Sequence, residues 1–578
     1  MTVMRPPPFF RPLARISRLF APIAAGLLAT ACASPPDLPR KYMVAAANPL
    51  AAEAGLATLR AGGSAVDAAV SVLAVLTLVE PQSSGIGGGA YMLHFRKRDR
   101  RIDAYDGRET APAATTPDLF LDGSGRPLPF AEASVGGRPV GVPGSLRMLA
   151  LAHGEHGKLP WASLFGRAIA LAEEGFPISP RLHEAIAGAR DLSAFPAARA
   201  YFLDDAGNPR AAGSILRNPA LAATYREIAE KGAESFYRGE IAADIARTVR
   251  GSSRHPGSLD EIDLARYTAK KKDALCRPYR AWTVCGMPPS SSGGIATLQI
   301  LGLLEPFDLG ALAPSSPAAV HLISEASRLA YADRNLYVAD TDFVPVPVEG
   351  LLDRGYLRRR GEAISAAASM GTALPGIPPS LPRRAAFAPA AAHENASTSH
   401  FSIVDADGNA VSMTASIERV FGSRLMVRGF LLNSQLTDFS FVPERGGRPV
   451  ANAPGPGKRP RSSMSPTLIL DGNGAFHAAL GSPGGSRIIG YVAKTITGLL
   501  DWRLSMQAAI DLPNHVNRNG ATEIEGGTAL VEEADALRRL GHEVSIRRLA
   551  SGLHGIRATD FGYDGGADRH REGVAIGD

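Results

Sequence analysis

A threonine becomes a self-contained catalyst when the peptide bond before it is cut. Its hydroxyl is then the nucleophile, and its freed α-amine is the base beside it. Thr398 stands where such a cut would fall. It follows residues 364–397, which are rich in Ala, Pro and Ser, carry Pro375, Pro378, Pro379 and Pro382, and show no periodicity. That composition reads as a linker or surface segment. A lone Thr opening a strand is usually only a strand residue, so its surroundings must carry the case. Gly481-Ser482-Pro483-Gly484-Gly485-Ser486 presents backbone N–H groups at a helix start, which suits an oxyanion. Arg461-Ser462-Ser463-Met464-Ser465-Pro466 brings hydroxyls to the mouth of a strand. Gln435 and Asp438, three apart after an apolar strand, form an acceptor pair for an ammonium group. Together they describe a site for a zwitterionic amide.

The elements that must position these residues follow from local pattern. Thr398–Val404 and Ala410–Ile417 favour strands, with the turn residues Asp405 to Asn409 between them. Phe401 and Ile403 share one face; Val411, Met413, Ala415 and Ile417 form a period-2 face. Further strands are expected at Met426–Leu432, Thr467–Leu470 and Ala475–Leu480, and a helix from about Arg487 to Leu500. Upstream, Asn48 and Pro49 open one helix that Gly62 stops, and Ser64 caps a second, very apolar one. Tyr91–Phe95 and Arg101–Tyr105 read as a hairpin, and residues 144–340 as mainly helical. The glycine run at residues 84–89 follows a helix and enters a strand, the wrong context for a dinucleotide fingerprint. It reads instead as a tight backbone approach.

Composition bounds the function. The chain has 578 residues, 45% hydrophobic and 20% charged, the balance of a chain with a core. Four of the positive charges behind its net +6, Arg5, Arg11, Arg15 and Arg18, precede the first acidic residue. The remainder is close to neutral, so nothing argues for nucleic acid. No H-E-x-x-H, G-K-[ST] loop or G-x-S-x-G elbow occurs. The 13 histidines show no metal-ligand spacing, so no metal or organic cofactor is expected. Residues 1–31 pass from Arg-rich to apolar to small, the order of a secretory signal. Ala29-Thr30-Ala31 fits a cleavage site, and Cys32 directly after it fits an imperfect lipobox. The expectation is an exported, periplasmic protein, cut before Cys32 and anchored to the membrane only if that cysteine is lipidated. Cys276 and Cys285 flank a segment that can fold back as a hairpin, and either a disulfide or two free thiols fits the spacing.

With these segments assembled, the sequence resembles the γ-glutamyltransferase (glutathione hydrolase) family of N-terminal nucleophile hydrolases. The resemblance is carried by Thr398 through Glu418 to Phe421-Gly422, by Asp106-Gly107-Arg108-Glu109-Thr110-Ala111-Pro112, and by Leu432 through Ser440. Lys458 through Pro466 and Gly481 through Arg487 complete it. Five separated motifs lie in family order, from about Tyr42 to the C-terminus.

The resemblance implies an α/β fold, a four-layer αββα sandwich, made as one precursor that cuts itself between Ser397 and Thr398. Residues 32–397 would form the large subunit and 398–578 the small one, paired as a heterodimer. Arg108 would bind the γ-glutamyl α-carboxylate with Ser462 and Ser463. Gln435, Asp438 and Glu418 would hold the α-ammonium, and the N–H groups of Gly484 and Gly485 the oxyanion. Ser416 stands where the family usually has a threonine that orients the nucleophile and assists cutting. Glutathione and other γ-glutamyl compounds are the implied substrates, with water or an amino acid or dipeptide as acceptor. The stretch from Asp438 to Arg461 looks short for a family lid, which implies an open pocket. Glu418 replaces the asparagine of many members, so glutaryl and related amides are the alternative substrates. A non-catalytic γ-glutamyl-peptide-binding lipoprotein would have no use for the nucleophile.

Overall fold

The computed structural model describes residues 40–379, 387–390 and 397–578. The expected signal segment, Cys32 and part of the linker lie outside these residues. Asn48 accepts the Leu50 N–H at 3.0 Å to start the Pro49–Arg60 helix, and Gly62 follows it at φ 87°. Ser64 and Asp67 form a reciprocal capping box on the Ala65–Val79 helix, every residue of which is buried. An apolar helix with no polar face must be covered on all sides. These two helices lie against a sheet, close enough that a Cβ on Gly55 would stand 3.3 Å from Val44.

That sheet has seven strands in the order Val574–Gly577, Met43–Ala46, Ser399–Val404, Ala410–Ser416, Gly89–Arg96, Arg101–Gly107 and Lys270–Asp273, every neighbouring pair antiparallel. Asp405 Oδ1 accepts the N–H groups of Asp407 and Asn409 at 3.0 and 2.9 Å, which fixes the turn between the two strands after Thr398. The expected period-2 face is present: Phe401, Ile403, Val411, Met413, Ala415 and Ile417 share one core cluster with the covering helices. The opposite face is equally buried but polar. There the His400 ring is hydrogen-bonded to Thr414 and Ser402, at 2.9 and 3.1 Å.

This polar face meets a second sheet, ordered Gly562–Ala567, His554–Thr559, Phe476–Gly481, Thr467–Leu470, Trp282–Gly286 and Leu275–Tyr279. Ser412 Oγ ties the sheets together: it donates to the Leu480 carbonyl at 3.0 Å and accepts the Thr467 N–H at 3.0 Å. The helices Gly293–Leu304 and Ile488–Leu500 share the second sheet's core cluster and cover its outer face. The architecture is the αββα sandwich.

Two expectations need correction. Met426–Leu432 is not one strand but two short ones, Met426–Val427 and Phe430–Leu431, reversed at Arg428 and Gly429, both with positive φ. Inside the mainly helical region, Lys270–Asp273, Leu275–Tyr279 and Trp282–Gly286 complete the edges of the two sheets. Leu275–Tyr279 and Trp282–Gly286 pair as a hairpin that sets Cys276 opposite Cys285, and their sulfurs are joined at 2.08 Å.

Candidate active site

The register of the first sheet brings Thr398 beside Ser416. Ser399 pairs with Ala415, so one step further along the same ladder Thr398 meets Ser416. Thr398 Oγ1 donates to the Ser397 carbonyl at 2.7 Å and lies 3.2 Å from Ser416 Oγ. Ser416 Oγ donates to that same carbonyl at 2.9 Å and accepts the Glu418 N–H at 2.9 Å. Ser397 is buried, its own hydroxyl bound to the Gln82 carbonyl. The glycine run makes this approach possible. A Cβ on Gly88 would sit 2.2 Å from the Ser416 carbonyl oxygen, and one on Gly87 2.0 Å from that of Leu431.

One pocket gathers Arg108, Thr398, Ser416, Glu418, Gln435, Asp438, Ser462, Ser463 and Gly485. Arg108 enters from the end of the Arg101–Gly107 strand. Asp106 accepts the Arg108 N–H at 2.9 Å, and Tyr267 donates to the Arg108 carbonyl at 2.7 Å. The guanidinium is fully buried. It donates to the carbonyls of Pro460 and Arg461 at 3.1 and 3.2 Å and to the Asp438 carboxylate. Burial alone would lower its pKa, but Asp438 and Glu109 raise it, so the charge is permanent.

Gln435 and Asp438 bound a single 3₁₀ turn, where residues three apart eclipse. Gln435 Nε2 accordingly donates to Asp438 Oδ2 at 2.8 Å. Asn433 holds the turn in place, accepting the N–H groups of Gly141 and Gln435, each at 3.0 Å. Ser462 is pinned through its carbonyl to Ser292, and Ser463 Oγ accepts from Arg334 at 2.6 Å. Gly484 and Gly485 have φ 137° and 58°, and neither engages its N–H with a protein acceptor among the described residues. Gly485 lines the pocket; Gly484 stands behind it, against Tyr491.

Glu109 is the residue that reading the sequence missed. It is fully buried next to Arg108, its nearer oxygen 3.6 Å from the guanidinium, and neither oxygen has a hydrogen-bond partner. Burial pushes its carboxyl up to about 8 despite the pull of Arg108, and Asp438 adds to the rise. Its place beside Arg108 in the chain was the only available signal. The segment from Asp438 to Arg461 carries two aromatic residues. Phe439 and Phe441 pack with Phe120 in a separate small cluster and do not line the pocket. The fold also gathers histidines that are far apart in sequence, as His94–Asp103–His156 and His321–Glu325–His542. Neither group touches this pocket.

The family model described as Gamma-glutamyltranspeptidase matches residues 51–578. The chain belongs to this family. It is 35% identical to a glutathione hydrolase proenzyme of Bacillus subtilis (strain 168) over 553 residues, 94% of this chain and 92% of the relative. It is also 35% identical to an acylase ACY 1 proenzyme of Pseudomonas sp. (strain V22), with 91% of each chain covered. Among solved structures, a cephalosporin acylase from Bacillus halodurans superimposes with TM-score 0.80 at 29% identity, covering 93% of this chain and 96% of that one. Both of the sequence relatives carry the name proenzyme.

Proposed function

We propose that this protein is a self-processing γ-glutamyltransferase and glutathione hydrolase, acting through a γ-glutamyl ester on Thr398. The observation that carries the reading is the pocket itself. A nucleophilic hydroxyl shares it with one buried guanidinium and with Glu418, Gln435 and Asp438, complementary groups for an α-carboxylate and an α-ammonium on one substrate.

In the uncut chain Thr398 Oγ1 attacks the Ser397 carbonyl carbon. The peptide C–N bond gives way to an ester, which frees the Thr398 α-amine, and water then hydrolyses that ester, releasing the large chain and restoring the Thr398 hydroxyl. The pocket holds about 20 Å³, the room of about one water. Thr398 next attacks the γ-amide while its α-amine takes the hydroxyl proton, and the N–H groups of Gly484 and Gly485 stabilise the oxyanion. The amine leaves. Water yields glutamate, or an amino acid or dipeptide yields a new γ-glutamyl compound.

Glutaryl amides are the weaker alternative, because they lack the ammonium group that Glu418 and Asp438 would face. Export to the periplasm, cleavage after Ala31 and lipidation of Cys32 are part of the proposal, supported by the order of segments in residues 1–32. The division into chains 32–397 and 398–578 belongs to it as well. The test is intact-mass analysis of the purified protein beside Thr398→Ala, followed by glutathione turnover. Two chains, the smaller beginning at Thr398, and glutamate release are expected from the parent, with neither from the variant. A chain that stays whole and inert would overturn the reading.

A further inference from the structure

The two histidine groups away from the catalytic pocket differ in whether their ligand atoms are taken. In His321–Glu325–His542 every ring nitrogen is engaged. His321 Nδ1 meets His542 Nε2 at 2.7 Å, His321 Nε2 the Ser365 carbonyl at 2.7 Å, and His542 Nδ1 Thr522 Oγ1 at 2.8 Å. Glu325 accepts from Arg328, Ser369 and the Met370 N–H. Hydrogen bonds close that group.

The His94–Asp103–His156 group is open. His94 and Asp103 stand directly opposite on paired strands, and His156 ends the Ser145–His156 helix, which shares a core cluster with that face. The three residues offer ligand atoms within 4.8 Å of one another. His94 is only 2% exposed, yet its Nδ1 has no hydrogen-bond partner among the described residues, and neither has Asp103 Oδ2. The two rings lie 4.2 Å apart between centroids, and His156 Nε2 is 3.8 Å from Asp103 Oδ2. Tyr105 donates to Glu155 at 2.9 Å and meets His156 Nε2 at 2.7 Å, so its hydroxyl keeps a partner if the ring turns to a metal. Lys271 and Arg96 approach Asp103 Oδ2 at 3.3 and 3.7 Å, and Arg101 approaches Oδ1 at 3.1 Å. Each of these cations has a second carboxylate to hold: Glu155, Asp99 and Asp273 in turn. Burial lowers the pKa of both imidazoles below 6.5, which keeps them neutral, the form that binds a metal.

We propose that His94, Asp103 and His156 form a structural site for one divalent cation of the zinc class, which ties the helix to the strand leading to Arg108. Two imidazoles and one carboxylate suit zinc, whereas magnesium prefers oxygen ligands. A zinc ion with ligands at about 2.0–2.1 Å holds them about 3.3 Å from one another. The 3.8 Å between His156 and Asp103 is close to that spacing. Both rings line a cavity of about 600 Å³ from which water reaches a fourth position, and Glu155, 3.6 Å from His156 Nε2, stands beside it. The carbonyl end of the helix adds partial negative charge.

The test is a calorimetric titration of zinc into the purified protein, cut or whole, made without a histidine tag and stripped with chelator, with magnesium as control. One equivalent of zinc is expected, with no heat from magnesium and a Tm that rises with zinc concentration. His94→Ala and His156→Gln should each weaken zinc binding by more than about 100-fold, beyond the loss seen when a residue that only supports a ligand is removed. His542→Gln should keep the parent affinity. X-ray absorption at the zinc edge of the loaded parent should show two imidazole ligands, a readout that needs no variant. No bound zinc, equal binding of magnesium, an equivalent that survives both His94→Ala and His156→Gln, its loss in His542→Gln, or fewer than two imidazoles in the spectrum would overturn the proposal.

Discussion

Ser416 and Thr398 share one acceptor: both hydroxyls bond the Ser397 carbonyl oxygen, and they lie 3.2 Å apart. Two donors on one oxygen polarise the carbonyl that the proposed self-cutting attacks. Ser416→Ala removes one donor and should slow self-cutting by about 10- to 100-fold, on the scale of losing one oxyanion donor. Ser416→Thr keeps the hydroxyl and should cut at the parent rate or faster. A time course on denaturing gels decides; equal rates for Ala and Thr would remove Ser416 from the mechanism.

Gly88 tests whether backbone closeness maintains that geometry. A Cβ there would come within 2.2 Å of the Ser416 carbonyl oxygen, and backbone gives way poorly. Gly88→Ala should therefore fold with an unchanged far-UV spectrum yet accumulate uncut chain. Normal processing in that variant would show that the strand end tolerates displacement.

Arg108 is expected to act on substrate and not on cutting, since its guanidinium reaches Asp438, Pro460 and Arg461 and not Ser397. Arg108→Ala should raise the KM for glutathione about 100-fold while two chains still form. Arg108→Lys retains the charge but loses the planar fork, and should fall between. Its loss also leaves the buried carbonyls of Pro460 and Arg461 without this donor, so a lowered Tm should accompany the KM effect.

Glu109 gives the stability a pH dependence of known sign. Its folded pKa, about 8, lies above the ordinary 4.5, so the folded protein holds a proton that the unfolded chain releases. Its contribution is fully present below about pH 4.5 and is lost as pH rises toward 8. Glu109→Gln cannot ionise. Its Tm should decline less than the parent's between pH 4.5 and 8, and parallel curves would show that the carboxyl is already charged when folded.

Much of this protein is written locally. Asn48 and Ser64 cap their helices, Asp405 to Asn409 turn the chain, and Thr467–Leu470 is a strand with the bounds its sequence suggests. Such features depend on residues a few positions apart, so a sequence displays them. The five motifs made the family legible as well, and with it the residues now found around one pocket.

Only tertiary structure could decide the rest. The pairing of Arg108 with Asp438 spans 330 positions, and Glu109 is raised because folding removes water from its carboxyl. Polar His400, Ser402, Ser412 and Thr414 are buried because a second sheet covers a face that, by pattern alone, belongs to solvent. Period-2 alternation records which residues share a face. What that face meets is settled by long-range packing, which no local spacing encodes.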